Sequence, residues 1–402
     1  MSSHSQLMHA PAGLDHCPFM PTYGAPAVRI VRGEGCRLWD EDGNEYLDFL
    51  AGIAVVGLGH AHPEIADAIA EQARTLVHVS NLYGTIPGTD VAITLDRLLG
   101  GGGQIFFTNS GAEAIECAIK LARKWGGPGK FGIVSANGSF HGRTLGALHA
   151  TGQPAKWKGF EPLPEGFRHV PFNDLAALEA AIDPSVTAVL LEPIQGEGGV
   201  YPATAEYFEG VRRLCDERGL LMIVDEIQTG LGRTGEWFGF QHFGVEPDVV
   251  TMAKALGNGM PIGACWAKRE VAAAFEPGDH GTTYGGQPIA ASAARATLSI
   301  LERLNAPQMA ERAGAQFRHL LQTVEGVTEV RGLGLLLAAQ LADGLDAKLV
   351  AADLLKRGLI VNAVSPTSIR FAPPLIVSEA DITEAVDLVS AVLADHLAGA
   401  PS

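Results

Sequence analysis

The chain has 402 residues, 47% of them hydrophobic and 18% charged, and that charged share is below the roughly 25% of ordinary soluble domains. Such a length points to two or three domains around a large core, and so few charges exclude disorder as a description of the whole. A formal charge of −16, from 29 basic and 45 acidic residues, argues against nucleic-acid or anionic-membrane partners, which need basic surface.

The opening segment carries no basic region followed by an apolar run and no arginine before Arg29, so a secretory signal or a mitochondrial leader is not expected. No stretch approaches ~20 uncharged apolar residues, which disfavours a membrane span. Cys17, Cys36, Cys117, Cys215 and Cys265 are dispersed without a CxxC pair and read as reduced thiols of a cytoplasmic protein.

Alternation over 28–50 predicts short strands at 28–32 and 36–39, with a turn at 41–44. The pattern becomes helical over 63–76, where Ile65, Ala68, Ile69 and Ala73 share one face. Strands and helices then alternate. Strands are predicted at 104–108, 131–135, 188–192, 220–224, 249–252 and 262–267, and helices at 112–125 and 205–218. Uninterrupted apolar strands between helices signal a mainly parallel sheet covered on both faces, an α/β architecture. After about Leu304 the pattern changes to helix, two short strands, helix, two strands and a last helix over 379–396. The expected division is an N-terminal segment 1–60 belonging to a small domain, a large domain 61–304, and a C-terminal α+β part 305–402.

Several runs carry chemistry. Asn109-Ser110-Gly111-Ala112-Glu113-Ala114 stands where a strand enters a helix, and the free N–H groups of a helix start suit a phosphate, although a Ser-Gly turn with a cap reads the same way. Asp225-Glu226 follows the apolar run LLMIV, so Asp225 would point into the crevice at the carboxyl end of a parallel strand. A Walker B reading fails because no GxxxxGK[ST] exists. Gly230–Gly235 fits GxGxxG, yet it opens no helix, so the dinucleotide reading is weak.

Lys254 follows another apolar strand, precedes a glycine-rich loop, and is the only cation between Arg233 and Lys268. Desolvation would lower its pKa, as Schiff-base chemistry requires, whereas the bland alternative is a snorkelling surface lysine. In Ser139–Thr144, Phe140 could stack on a planar ring and Arg143 could hold a carboxylate. His60 and His62 lack a third ligand nearby, and no metal is expected.

Taken in order, the runs RIVRGEGCRLWDEDGNEYLDFLAGIAV, LGHAHPE, NSGAEA, FHGRT, EPIQGEGG, DEIQTGLGRTG, MAKALGNGMPIGA and HGTTYGGQP resemble the class III pyridoxal-phosphate aminotransferases, from about Met20 to about Pro374. They look most similar to members whose amino donor is N-acetylornithine. The resemblance implies a fold type I enzyme with pyridoxal 5'-phosphate carried by Lys254 as a Schiff base. Lys254 would then move the proton between donor and cofactor. Asp225 would pair with the pyridine nitrogen, Phe140 would stack on the ring, and Gln228 would approach the ring hydroxyl. Ser110, Gly111 and Ala112 would hold the phosphate, completed by Thr283 of a neighbouring subunit, so a homodimer with shared active sites is implied.

For substrates, the resemblance implies that Arg143, with Thr282 nearby, binds the α-carboxylate of N-acetylornithine. Arg370 would bind that of glutamate or 2-oxoglutarate, and Glu197 would neutralise Arg370 when the donor brings no carboxylate there. The implied reaction is a ping-pong exchange within arginine biosynthesis. Val56, Ile115 and Gln287 depart from the usual family residues, and Val56 and Ile115 are expected near the site. Ornithine, succinylornithine, succinyl-diaminopimelate and 4-aminobutyrate aminotransferases share most of these motifs. A nucleotide-dependent α/β enzyme built on 220–235 is the rival from another class.

Overall fold

A computed structural model describes residues 20, 22–23 and 26–399. Cys17 and the opening segment read for targeting signals lie outside the described residues.

A seven-stranded sheet forms the centre. Its strands lie in the order Gly103–Thr108, Gly263–Lys268, Val249–Met252, Leu221–Asp225, Val186–Leu191, Gly132–Ala136 and Phe167–Val170. The last five pair in parallel, while Gly263–Lys268 runs antiparallel to both its neighbours. Leu221 and Ile223 pack into one apolar cluster with Ile115, Ala118 and Ala122 of the helix Gly111–Gly126. Met222 and Val224 face the opposite cluster, with Tyr207, Phe208 and Val211 of the helix Ala205–Arg218. Both strand faces are therefore dry, and this is why the strand reads as a continuous apolar run instead of alternating. A polar residue at its end, Asp225, must look out of the sheet toward the crevice.

Ile30–Glu34, Arg37–Asp40 and Glu45–Asp48 form an antiparallel meander, extended by Leu359–Ile360 lying parallel to Glu45–Asp48. The first and last thirds of the chain are thus hydrogen-bonded together. A second four-stranded sheet orders Val327–Leu333, Leu336–Leu341, Ser368–Phe371 and Asn362–Ser365, all antiparallel. It places Arg370 on a fully buried strand.

Several elements escape the sequence reading, among them the long helix Pro288–Leu304, the helix Ile86–Leu98 and the edge strand Phe167–Val170. The helix Ile86–Leu98 buries only Pro87, Val91 and Leu95, a narrow stripe behind an Ile-Pro-Gly start. The edge strand Phe167–Val170 carries Arg168 and His169 and pairs on one side only. Among the described residues no helix is long and apolar enough to cross a membrane.

Candidate active site

The carboxyl ends of the central strands open on a cavity of about 400 Å³. Nine of the twelve residues singled out from the sequence line it: Ser110, Gly111, Ala112, Phe140, Arg143, Glu197, Asp225, Gln228 and Lys254. Arg370 is buried behind them. Thr282 and Thr283 line an adjoining cavity, which shares Asn109 with the first.

Asp225 closes the strand Leu221–Asp225 and is 4% exposed. Its Oδ1 accepts from the Ile227 amide at 3.0 Å, and its Oδ2 lies 2.8 Å from His141 Nδ1. An ionised carboxylate only accepts, so His141 Nδ1 donates and Nε2 faces the Ser135 hydroxyl at 3.2 Å. This buried chain fixes the carboxylate as the anionic floor of the cavity. Beside it, Glu192 accepts the Phe140 amide at 3.1 Å. Burial first, then the charge of Asp225, push the Glu192 carboxyl well above the usual carboxylate range.

Sequence reasoning passed over His141 and Glu192 as site residues. Both stand inside runs already recognised, but their partners lie 84 and 52 residues away. The available signal was positional, since Glu192 directly follows the fully buried strand Val186–Leu191, much as Asp225 ends the buried strand Leu221–Asp225.

Lys254 comes just after Val249–Met252 with a left-handed backbone, φ 43°. Burial lowers its pKa to about 8, with Arg370 acting in the same direction and Glu197, Asp225 and Glu192 opposing. No hydrogen bond from its ammonium is formed among the described residues. The Lys254 amine thus stands in the cavity and gives up its proton more readily than a lysine in water.

Arg370 is fully buried on the strand Ser368–Phe371. Its Nη1 meets Glu197 Oε1 at 2.5 Å, Gln228 Oε1 at 3.2 Å and the Gly196 carbonyl at 3.2 Å, while Nε meets Asn362 Oδ1 at 3.2 Å. Its Nη2 is buried without a partner. Burial alone would raise the Glu197 carboxyl, but the charge and hydrogen bond of Arg370 outweigh it and hold Glu197 below its ordinary value. Gly196 makes this cluster possible, because a Cβ there would stand 1.9 Å from Gln228 Oε1.

At the other end, Ser110 caps the helix Gly111–Gly126 by accepting the Glu113 amide at 3.3 Å. The amides of Gly111 and Ala112 precede any intrahelical acceptor. A Cβ on Gly111 would press to 2.8 Å from Ile227, so glycine keeps the helix start against the cavity wall. Arg143 is exposed, its guanidinium carbon 5.6 Å from the Phe140 ring centre. Thr282 Oγ1 accepts from Asn109 Nδ2 at 3.3 Å.

Of the unusual residues, Ile115 is wholly buried in the helix core and does not itself line the cavity, although it shares an apolar cluster with Ala112 and Ile227, which do. Val56 lies beside Gly259, whose added Cβ would be 3.7 Å away. Gln287 accepts the Val79 amide at 3.0 Å. His60, read as structural, meets Asp48 Oδ2 at 2.7 Å.

Residues 20–393 match the family model of class-III aminotransferases. The chain is 48% identical over 387 residues to an acetylornithine aminotransferase of Caldanaerobacter subterraneus subsp. tengcongensis, spanning 94% of this chain and 97% of the relative. It is 50% identical over 384 residues to the acetylornithine aminotransferase of Corynebacterium efficiens, spanning 93% and 94%. An ornithine aminotransferase structure from Toxoplasma gondii, described with partial occupancy of PLP at its active site, superposes with a TM-score of 0.89 at 34% identity, covering 94% of this chain and 93% of that one. The chain belongs to the class III aminotransferases, with the fold type I architecture of pyridoxal-phosphate enzymes.

Proposed function

We propose that the protein transfers the δ-amino group of N-acetylornithine to 2-oxoglutarate, giving N-acetylglutamate 5-semialdehyde and glutamate, in cytoplasmic arginine biosynthesis. The observation that carries this reading is the pair Arg370–Glu197, with Glu197 lining the same cavity as Arg143, together with the relatives of that name. Both substrates bring a carboxylate to Arg143. Only the keto acid and its amine bring a second one for Arg370. Glu197 neutralises Arg370 in the first case and yields it in the second, so one cavity serves both substrates in turn.

The cofactor is pyridoxal 5'-phosphate, which supplies an electron-withdrawing ring that stabilises negative charge on the donor carbon. The residues present fit it. The open amides of Gly111 and Ala112, with Ser110, suit the phosphate at a helix start. Asp225, buried and steered by His141, suits a protonated ring nitrogen, and Phe140 suits the ring face. Lys254 would bind the aldehyde and then move a proton at the donor's δ carbon, a task matched to an amine with pKa about 8. Gln228, tied to Arg370 and Glu197, would steer the ring hydroxyl from the same cluster.

Thr283 stands outside the cavity of its own protomer, beside a surface exposing Val77, Leu82, Tyr83, Ile86 and Tyr284. Apolar side chains gathered this way mark a protein contact. A homodimer would bury them and bring Thr283 to the partner's phosphate site.

Turnover with 2-oxoglutarate tests the assignment. N-acetylornithine should give a kcat/KM at least about tenfold above ornithine, succinylornithine or 4-aminobutyrate. If ornithine wins, as the Toxoplasma gondii structure keeps in view, the aminotransferase stands and the donor changes.

A further inference from the structure

A second cation looks onto the same ring as Arg143. After Phe140 the chain returns through the single turn Pro154–Lys156, which sets Lys156 Nζ 5.9 Å from the Phe140 ring centre, against 5.6 Å for the Arg143 guanidinium carbon. Neither cation is paired with a carboxylate among the described residues.

Lys156 is also held in place. Its Nζ donates to Gln153 Oε1 at 2.6 Å. Gln153 Nε2 in turn donates to the carbonyls of Gly138 at 3.2 Å and Ser139 at 3.1 Å, the backbone leading into Phe140. Trp157 pins the turn by donating from Nε1 to the carbonyls of Leu148 and Thr151, both at 2.9 Å. A lysine ordinarily swings free into solvent. This one is half-buried, tethered and aimed at Phe140, which lines the cavity.

The electrostatics are those of a site awaiting an anion. Burial, and after it the charge of Arg143, lower the Lys156 pKa, while Glu197 opposes from within the cavity. Two like charges near one ring raise the free energy of the empty protein, and an incoming carboxylate relieves it.

We propose that Lys156 is a substrate-binding residue that forms, with Arg143, a two-cation clamp on the carboxylate which amine and keto acid alike present at this end of the cavity. The clamp rests on the reading of Arg143 as a carboxylate-binding residue. It predicts that both half-reactions feel Lys156, because the carboxylate at this end is common to them.

The test uses the holoenzyme with Lys156→Gln, Lys156→Arg and Arg143→Gln, measuring kcat and KM for N-acetylornithine and the affinity for glutarate, an unreactive dicarboxylate, by calorimetry. Lys156→Gln should raise KM and weaken glutarate binding by about tenfold each, with kcat within about twofold, and Lys156→Arg should restore both. If Lys156→Gln leaves KM and glutarate affinity unchanged while Arg143→Gln weakens both, the clamp is refuted and the function stands. If Arg143→Gln also changes neither, the carboxylate reading of this end falls and takes the clamp with it. A drop in kcat alone, with glutarate binding intact, overturns the clamp as well.

Discussion

Replacing Glu197 by glutamine probes the proposed switch most sharply, because the shape of the side chain is kept and only the charge is lost. In the wild type, Glu197 Oε1 takes Arg370 Nη1 at 2.5 Å, and Arg370 is wholly buried with Nη2 unpartnered. A charge-assisted hydrogen bond contributes about 1.5–3 kcal/mol. The Glu197 side chain is 28% exposed, so screening by water brings the expected value to about 1–2 kcal/mol. A substrate carboxylate must displace Glu197 to reach Arg370, and removing this competitor should favour glutamate by about tenfold. N-acetylornithine has nothing to offer Arg370 and would leave a buried cation uncompensated, a loss of similar size. The two effects multiply to a shift of about a hundredfold in the ratio of single-turnover half-reaction rates for the two donors. The pH dependence follows from the sign of the shift. Glu197 is held below its ordinary value, so its contribution is full above the unfolded carboxyl pKa of about 4.3 and is lost only as pH falls further. The wild-type donor ratio should therefore not respond to Glu197 between about pH 6 and 9. An unchanged donor ratio in Glu197→Gln would refute the switch.

Lys254 titrates at about 8 when folded and near 10.4 when unfolded, so the folded state binds fewer protons in that window and cofactor-free protein should gain stability as pH rises through it. Melting curves of Lys254→Met should lose that rise; an identical pH profile would contradict the desolvation of this amine. Glu192 has the opposite linkage: its raised carboxyl costs stability as pH climbs above about 4.3. Glu192→Gln still accepts the Phe140 amide and should melt higher than wild type at pH 7.5 but not at pH 4. Two glycines with equally close neighbours should behave differently. In Gly314→Ala the new Cβ would stand 2.1 Å from the Gly334 carbonyl, a backbone clash costing about 3 kcal/mol or more. In Gly196→Ala it would meet only the movable Gln228 side chain at 1.9 Å, so melting should change little while KM for 2-oxoglutarate rises as Gln228 leaves Arg370.

The sequence was most legible where local pattern and tertiary environment agree. The strand Leu221–Asp225 reads correctly because its alternate residues enter two separate apolar clusters, and Asp225 and Lys254 are conspicuous because each follows such a strand. The helix Gly111–Gly126 announces itself through the Ser110 cap and a wide apolar face. Ile86–Leu98 and Phe167–Val170 were missed because a three-residue stripe and a one-sided edge leave little periodicity. The antiparallel sense of Gly263–Lys268 is invisible to residue pattern, since burial on both faces looks the same in either direction. The site residues came from contiguous runs, but what tunes them is long-range. His141 steering Asp225 and Glu192 beneath Phe140 depend on loops meeting at the carboxyl ends of separate strands. So does Lys156, whose place beside Arg143 is created by Gln153 reaching back to the backbone at Gly138 and Ser139.

The central claim is that Lys254 passes an amino group from N-acetylornithine through bound pyridoxal phosphate, and one spectrum tests it directly. Purified holoenzyme should show the visible absorbance of the bound cofactor. N-acetylornithine without keto acid should bleach that band faster than ornithine or 4-aminobutyrate, and 2-oxoglutarate should restore it. Lys254→Ala should bleach several orders of magnitude more slowly, consistent with a lost catalytic base. Bleaching at the wild-type rate in that variant, or a protein that stays colourless after pyridoxal phosphate is added, would contradict the account.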